Sequence, residues 1–251
     1  MVRFSILAIG LSLIIASLLV SLSNSSSQQS SEVGMDASTI FDNKTLAVGG
    51  DVKNIIILIP NEGHESPELP EEQRLINQPY VPENLIVEPG TNIVWFNGDV
   101  DHEHKITMVD ENSNPAFESG EFDFNTLSKA LVLNDTGKFS YSEEDVIEDD
   151  PDFVMKGTID VVGSNISQPS NIIGNTTSNF DTVAVLMVPA EDAEEHESYL
   201  QSQGLNIVNQ YTFEDLREGD QQTLLIIGSK DKSIGDFESV LAEITPKLPY
   251  N

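Results

Sequence analysis

The chain has no cysteine among its 251 residues. That excludes disulfides, so stability must come from packed cores alone, and it excludes any metal centre that depends on a thiolate ligand. Basic side chains are scarce too: 12 Lys and Arg stand against 42 Asp and Glu, a formal charge of −30. Such a surface repels nucleic acid and anionic lipid, so neither is an expected partner. It suits solubility, attraction of cations, or life in salt. Catalytic motifs are missing as well. Gly228-Ser229-Lys230 follows a strand but lacks the upstream glycine of a phosphate loop, and His196, in Glu194-Glu-His-Glu197, has no histidine one turn away. His196 reads as a solvated helix face, and no enzyme is expected.

What is present begins with a leader. Arg3 precedes a nearly continuous apolar run from Phe4 to Leu22, and a polar Ser/Gln tract follows from Asn24 to Ser31. Residues 1–30 therefore read as a signal peptide or an N-terminal membrane anchor, with the remainder outside the cytoplasm, at the cell surface or beyond it. Five Asn-x-Ser/Thr sequons, at Asn24, Asn43, Asn134, Asn165 and Asn175, fit an exported glycoprotein.

Beyond the leader, 31–54 is a polar lead-in. Ile55-Ile-Ile-Leu-Ile59 is a continuous β-branched run ended by Pro60, the pattern of a buried strand, and 61–79 reads as a proline- and carboxylate-rich loop. Short strands with turn punctuation follow at 85–87, 92–96, 105–109, 130–133, 138–141 and 157–161. Their spacing predicts an antiparallel sandwich over 55–163. Residues 164–180 are a Ser/Asn/Thr-rich linker. The pattern then becomes strand 183–188, helix 191–203 closed by Gly204, strands 205–213 and 223–228, and a helical repeat over 234–248. That is β-α-β-β-α, a small α+β domain of split βαβ, ferredoxin-like type at 181–251. The expected class is mainly β, and the second domain offers a surface for a cell-surface protein partner.

Several segments of the sandwich carry a family resemblance. Val81-Pro-Glu-Asn-Leu-Ile-Val-Glu-Pro-Gly90, Trp95-Phe-Asn-Gly-Asp99, His104-Lys-Ile106, Phe117-Glu-Ser-Gly120, Gly137-Lys-Phe-Ser-Tyr141 and Met155-Lys-Gly-Thr-Ile-Asp-Val161 occur in the order and spacing of the cupredoxins. The resemblance covers about residues 79–163 and implies a cupredoxin-like Greek-key β-sandwich.

It also implies a ligand set, half of which is present. His104 stands at the first histidine position and Met155 at the axial thioether. The cysteine position, two residues after Tyr141, is Glu143, and no histidine lies between Glu143 and Met155. Blue-copper electron transfer is therefore not expected. Two alternatives stay open. In the first, a divalent ion, copper or else zinc, is bound by nitrogen and oxygen donors. His102 and His104 are i and i+2, on one side of an extended segment, and Glu143, Met155 and the upstream His64 complete the candidate set. The His-x-His pair with a remote histidine resembles the copper site in the cupredoxin domain of the methane/ammonia monooxygenase B subunit. In the second, no metal is bound, Asp101, Glu103 and Glu143 hold His104, and the domain is a binding or scaffold module. The acidic run from Glu143 to Asp152 lacks an EF-hand pattern and reads as a solvated loop.

Overall fold

The computed structural model describes residues 45–49, 52–59, 82–100, 103–143, 156–163, 180–214 and 221–245. The leader, most of the lead-in, the 60–81 stretch, the acidic loop 144–155 and most of the linker lie outside the described residues. So do three of the candidate ligands, His64, His102 and Met155. Among the described residues no helix is long and apolar enough to cross a membrane.

The described chain folds into twelve strands and two α-helices. The strands are β1 (Thr45–Ala47), β2 (Asn54–Ile59), β3 (Asn84–Val87), β4 (Asn92–Asn97), β5 (His104–Asp110), β6 (Pro115–Phe122), β7 (Leu131–Val132), β8 (Gly137–Glu143), β9 (Lys156–Val161), β10 (Thr182–Pro189), β11 (Asn206–Glu214) and β12 (Gln221–Ser229). Helix α1 (Ala193–Ser202) lies between β10 and β11, and α2 (Ile234–Ile244) follows β12. One sheet has the order β1-β3-β9-β8-β5-β6, the other β11-β12-β10-β2-β4-β7. Within them β1, β3 and β9 run parallel to one another, as do β4, β2 and β10, while β9, β8, β5 and β6 alternate in direction. This is the mainly-β, cupredoxin-like sandwich that the motifs imply.

Two strands were not anticipated. Within the lead-in, Thr45–Ala47 adds to the edge of the first sheet and buries Leu46 completely. Pro115–Phe122 forms β6 although six of its eight residues are exposed or half-buried and only Ser119 and Phe122 are buried, so no clean alternation announces it. Gly120, at φ +73°, and two register shifts against β5 explain the broken pattern.

The C-terminal segment keeps its β-α-β-β-α order, with Gly204 at φ +77° closing α1 and Ser233 capping α2 through a reciprocal bond with Asp236. It is not a body apart from the sandwich. Strand β10 pairs in parallel with β2, matching Thr182 to Asn54 and Val183 to Ile55. Lys53 Nζ donates to Asp181 at 2.8 Å. A polar rung then crosses three strands: Asn92 Nδ2 donates to Asn54 Oδ1 at 3.2 Å, and Asn54 Nδ2 to Thr182 Oγ1 at 3.1 Å. A slip of one residue would break this rung, so the rung fixes the register.

The physical reason for the shared sheet is visible in β2. Ile55 to Ile59 are all buried, so both faces of the strand are covered, as for an interior strand with parallel neighbours. One apolar cluster runs from Leu46, Trp95 and Tyr141 through Val183 and Ile226 to Phe237, Leu241 and Ile244 of α2.

Candidate functional site

Strand β5 presents His104 at its first residue, and β8 presents Glu143 at its last. The two strands are antiparallel, with Ile106 opposite Glu143, so the His104 and Glu143 side chains meet at one end of the sheet. A third side chain arrives from the end of β4. There Gly98 N–H donates to Ile59 O at 2.8 Å, Asn97 Nδ2 donates to Phe122 O at 3.3 Å, and Asp99 N–H donates to Asn97 Oδ1 at 2.8 Å. Asp99, completely buried, is thereby fixed beside the histidine.

The resulting arrangement is carboxylate, imidazole, carboxylate. Nδ1 of His104 lies 3.0 Å from Glu143 Oε2, and Nε2 lies 3.4 Å from Asp99 Oδ2. The first is a hydrogen bond. The second is ion-pair distance, and Nε2 makes no well-aligned hydrogen bond. Glu143 has a second duty, since its Oε1 accepts from the Lys105 N–H at 2.7 Å. His104 itself is only 4% exposed.

Burial alone would push the imidazole towards the neutral form, because it penalises charge. The close approach of Asp99 and Glu143 to the two ring nitrogens overcomes that penalty, and together they raise His104 to about 9. At neutral pH the ring is an imidazolium, and its proton sits in the midst of the site.

Helix α2 braces the loops that place Asp99. Leu127 N–H donates to Glu238 Oε1 at 3.3 Å, and Asn125 Nδ2 donates to Ala242 O at 3.4 Å. A Cβ added at Gly98 would lie 2.8 Å from both Ile59 O and Thr245 Cγ2, so only glycine lets the strand, the loop and the helix end converge there.

Of the five candidate ligands, the structure brings together His104 and Glu143. His102, His64 and Met155 fall outside the described residues. Of the residues expected to hold an idle His104, Glu143 does so, Asp101 lies outside the described residues, and Glu103 needs correction: it is exposed and hydrogen-bonds Asp123, which raises its pKa. Asp99 joins Glu143 in the role. The sequence signal for it was the last position of Trp95-Phe-Asn-Gly-Asp99, read there only as a fold motif.

The described donors do not make a three-ligand metal site. Glu143 and Asp99 approach opposite nitrogens of one imidazole, so a single ion can have at most His104 and one carboxylate from this trio. Among the described residues no group of three or more such side chains converges on one point.

No family model matches the chain, and no curated protein matches it. Solved structures do. A purple cupredoxin from Nitrosopumilus maritimus is 23% identical over 43% of this chain and 99% of its own, with a TM-score of 0.32. An auracyanin from Roseiflexus castenholzii is 14% identical over 45% of this chain and 99% of its own, at 0.33. A copper-containing nitrite reductase from Thermus scotoductus is 16% identical over 49% of this chain, which spans only 29% of that enzyme, at 0.35. By its own strand order and paired sheets, the chain has a cupredoxin-like fold, and it contains no cysteine.

Proposed function

We propose that this is an exported binding module on a cupredoxin-like fold, in which a proton held between two carboxylates takes the place of a metal. The observation that carries the reading is the opposed approach of Asp99 and Glu143 to the two nitrogens of buried His104. That geometry offsets part of the carboxylate charge and rigidifies the end of the sandwich instead of leaving donors converging on one point. The module then works through its surface. Its −30 charge favours a protein partner with a basic face, and the leader and sequons support a place outside the cytoplasm.

One observation favours a second reading. The 3.0 Å between Nδ1 and Oε2 is also a normal separation for two donors on one ion with bonds of about 2.0–2.2 Å. A divalent copper or zinc ion could replace the proton, with His102, His64 and Met155 as further donors. Copper titration of the full chain, followed by EPR and by calorimetry in buffers of different ionisation heat, separates the two. The binding-module reading expects no stoichiometric signal and no difference between the native chain and Glu143→Gln. Stoichiometric binding with nitrogen hyperfine structure, release of a proton and loss of both in Glu143→Gln would overturn it in favour of the metal site.

A further inference from the structure

Of the five sequons, one lies within the described residues. Asn134-Asp-Thr136 forms the turn between β7 and β8, and all three residues are exposed. Among the described residues no hydrogen bond ties down the Asn134 amide or the Thr136 hydroxyl. Both groups that a sequon offers are therefore presented to solvent on a surface turn.

The neighbouring strand supplies an independent reason for a modification there. Among the described residues β7, two residues long, is the outermost strand of its sheet and pairs with β4 alone, through Asn92–Val132 and Ile93–Leu131. No described strand pairs with its other edge, and edges of that kind are what proteins shield from strand-to-strand association. Val132 on this strand is 48% exposed, one of two large apolar side chains so exposed among the described residues. Leu131 is buried, Val132 exposed, Leu133 half-buried and Asn134 exposed. In this extended alternation Val132 and Asn134 share the outward side.

We propose that Asn134 is an N-glycosylation site and that its sugar chain covers Val132 and the open edge of β7. The inference rests on the reading of the chain as exported. Chemically, Asn134 Nδ2 forms a bond to C1 of the first sugar of a polyprenyl-phosphate-linked oligosaccharide. The C1–O bond to phosphate breaks, the lipid phosphate leaves, and one proton is lost from Nδ2 to a base of the transferase. Nothing is oxidised or reduced. The position also leaves the His104 end clear. Strand β8 starts beside the turn at Gly137 and ends at Glu143, which separates sugar and triad by roughly 20 Å at ~3.4 Å per residue.

The test is peptide mass spectrometry on the full chain recovered from its own cells, beside Thr136→Ala and Thr136→Ser variants. The expected result is an Asn134 peptide heavier by whole sugar residues, a shift lost in Thr136→Ala and kept in Thr136→Ser. Light scattering should then show the Thr136→Ala chain self-associating where the glycosylated chain stays monodisperse. An Asn134 peptide at its unmodified mass, with sugar on Asn43, Asn165 or Asn175, overturns the site while export stands. A chain recovered from the cytoplasm with every sequon bare overturns export and the site together. Equal dispersity of the two chains overturns the shielding role.

Discussion

The charge on His104 can be tested through Glu143→Gln. The glutamine keeps an oxygen for the Lys105 N–H that Glu143 Oε1 now accepts, and removes the negative charge beside Nδ1. In the native chain the imidazole is raised from 6.5 to about 9. At ~1.4 kcal/mol per pH unit, that rise amounts to about 3 kcal/mol of stability. The sign follows from the proton: the folded state holds it more tightly than the unfolded chain. The stabilisation is fully present below pH 6.5 and is lost as pH climbs through 9. Tyr199, held up at about 12 by burial and by Glu243, stays out of this window, as does Tyr141, which burial raises well above its ordinary value. Two measurements follow: the titration of the His104 ring by NMR, and urea unfolding at pH 6 and pH 9.5. The native chain should lose about 3 kcal/mol between those pH values. In Glu143→Gln the ring should titrate below 9 and the pH dependence should shrink, leaving the contribution of Asp99. A native His104 that titrates at or below 6.5 would refute the reasoning, because the ring would then be neutral and the carboxylates would not be its ion-pair partners.

Ending the chain at Gly163 removes the β10 neighbour of β2 and α2 together, so the fragment should aggregate or unfold without cooperativity. A sharp two-state transition from monomeric 31–163 would show the sandwich to be self-sufficient. Gly157→Ala places a methyl group against Glu83 O and the Tyr141 ring and hydroxyl, where Tyr141 now donates to Glu83 O at 2.8 Å. It should cost about 3 kcal/mol in urea unfolding, the upper range for overpacking a core, and a loss below about 1 kcal/mol would mean that the β3–β9 contact yields easily.

Much of the fold was legible because it is written locally. Alternation and turn residues marked β3, β4, β5, β8 and β9, and the C-terminal order of strands and helices followed from period and from Gly204. Strand β1 escaped because three residues carry no periodicity, and β6 because Gly120 and exposed side chains blur it. The shared sheet escaped for another reason. Parallel pairing of Asn54 with Thr182 joins residues 128 apart, and such pairing leaves no local mark beyond the unbroken apolar run of β2. At the site, family spacing found His104 and Glu143. It passed over Asp99 because a loop carboxylate becomes a partner only once Asn97 and Gly98 have turned it inward.

The parallel seam between β2 and β10 also sets a timetable. A ribosome adds roughly 5–20 residues per second, so β2 leaves the exit tunnel on the order of ten seconds before β10 exists. During that interval the β2 edge is open, with five consecutive buried-type side chains behind it. The nascent chain therefore passes through a sticky half-built stage that ends only when its last seventy or so residues arrive, and whatever keeps it from misassembly must act on the N-terminal half first.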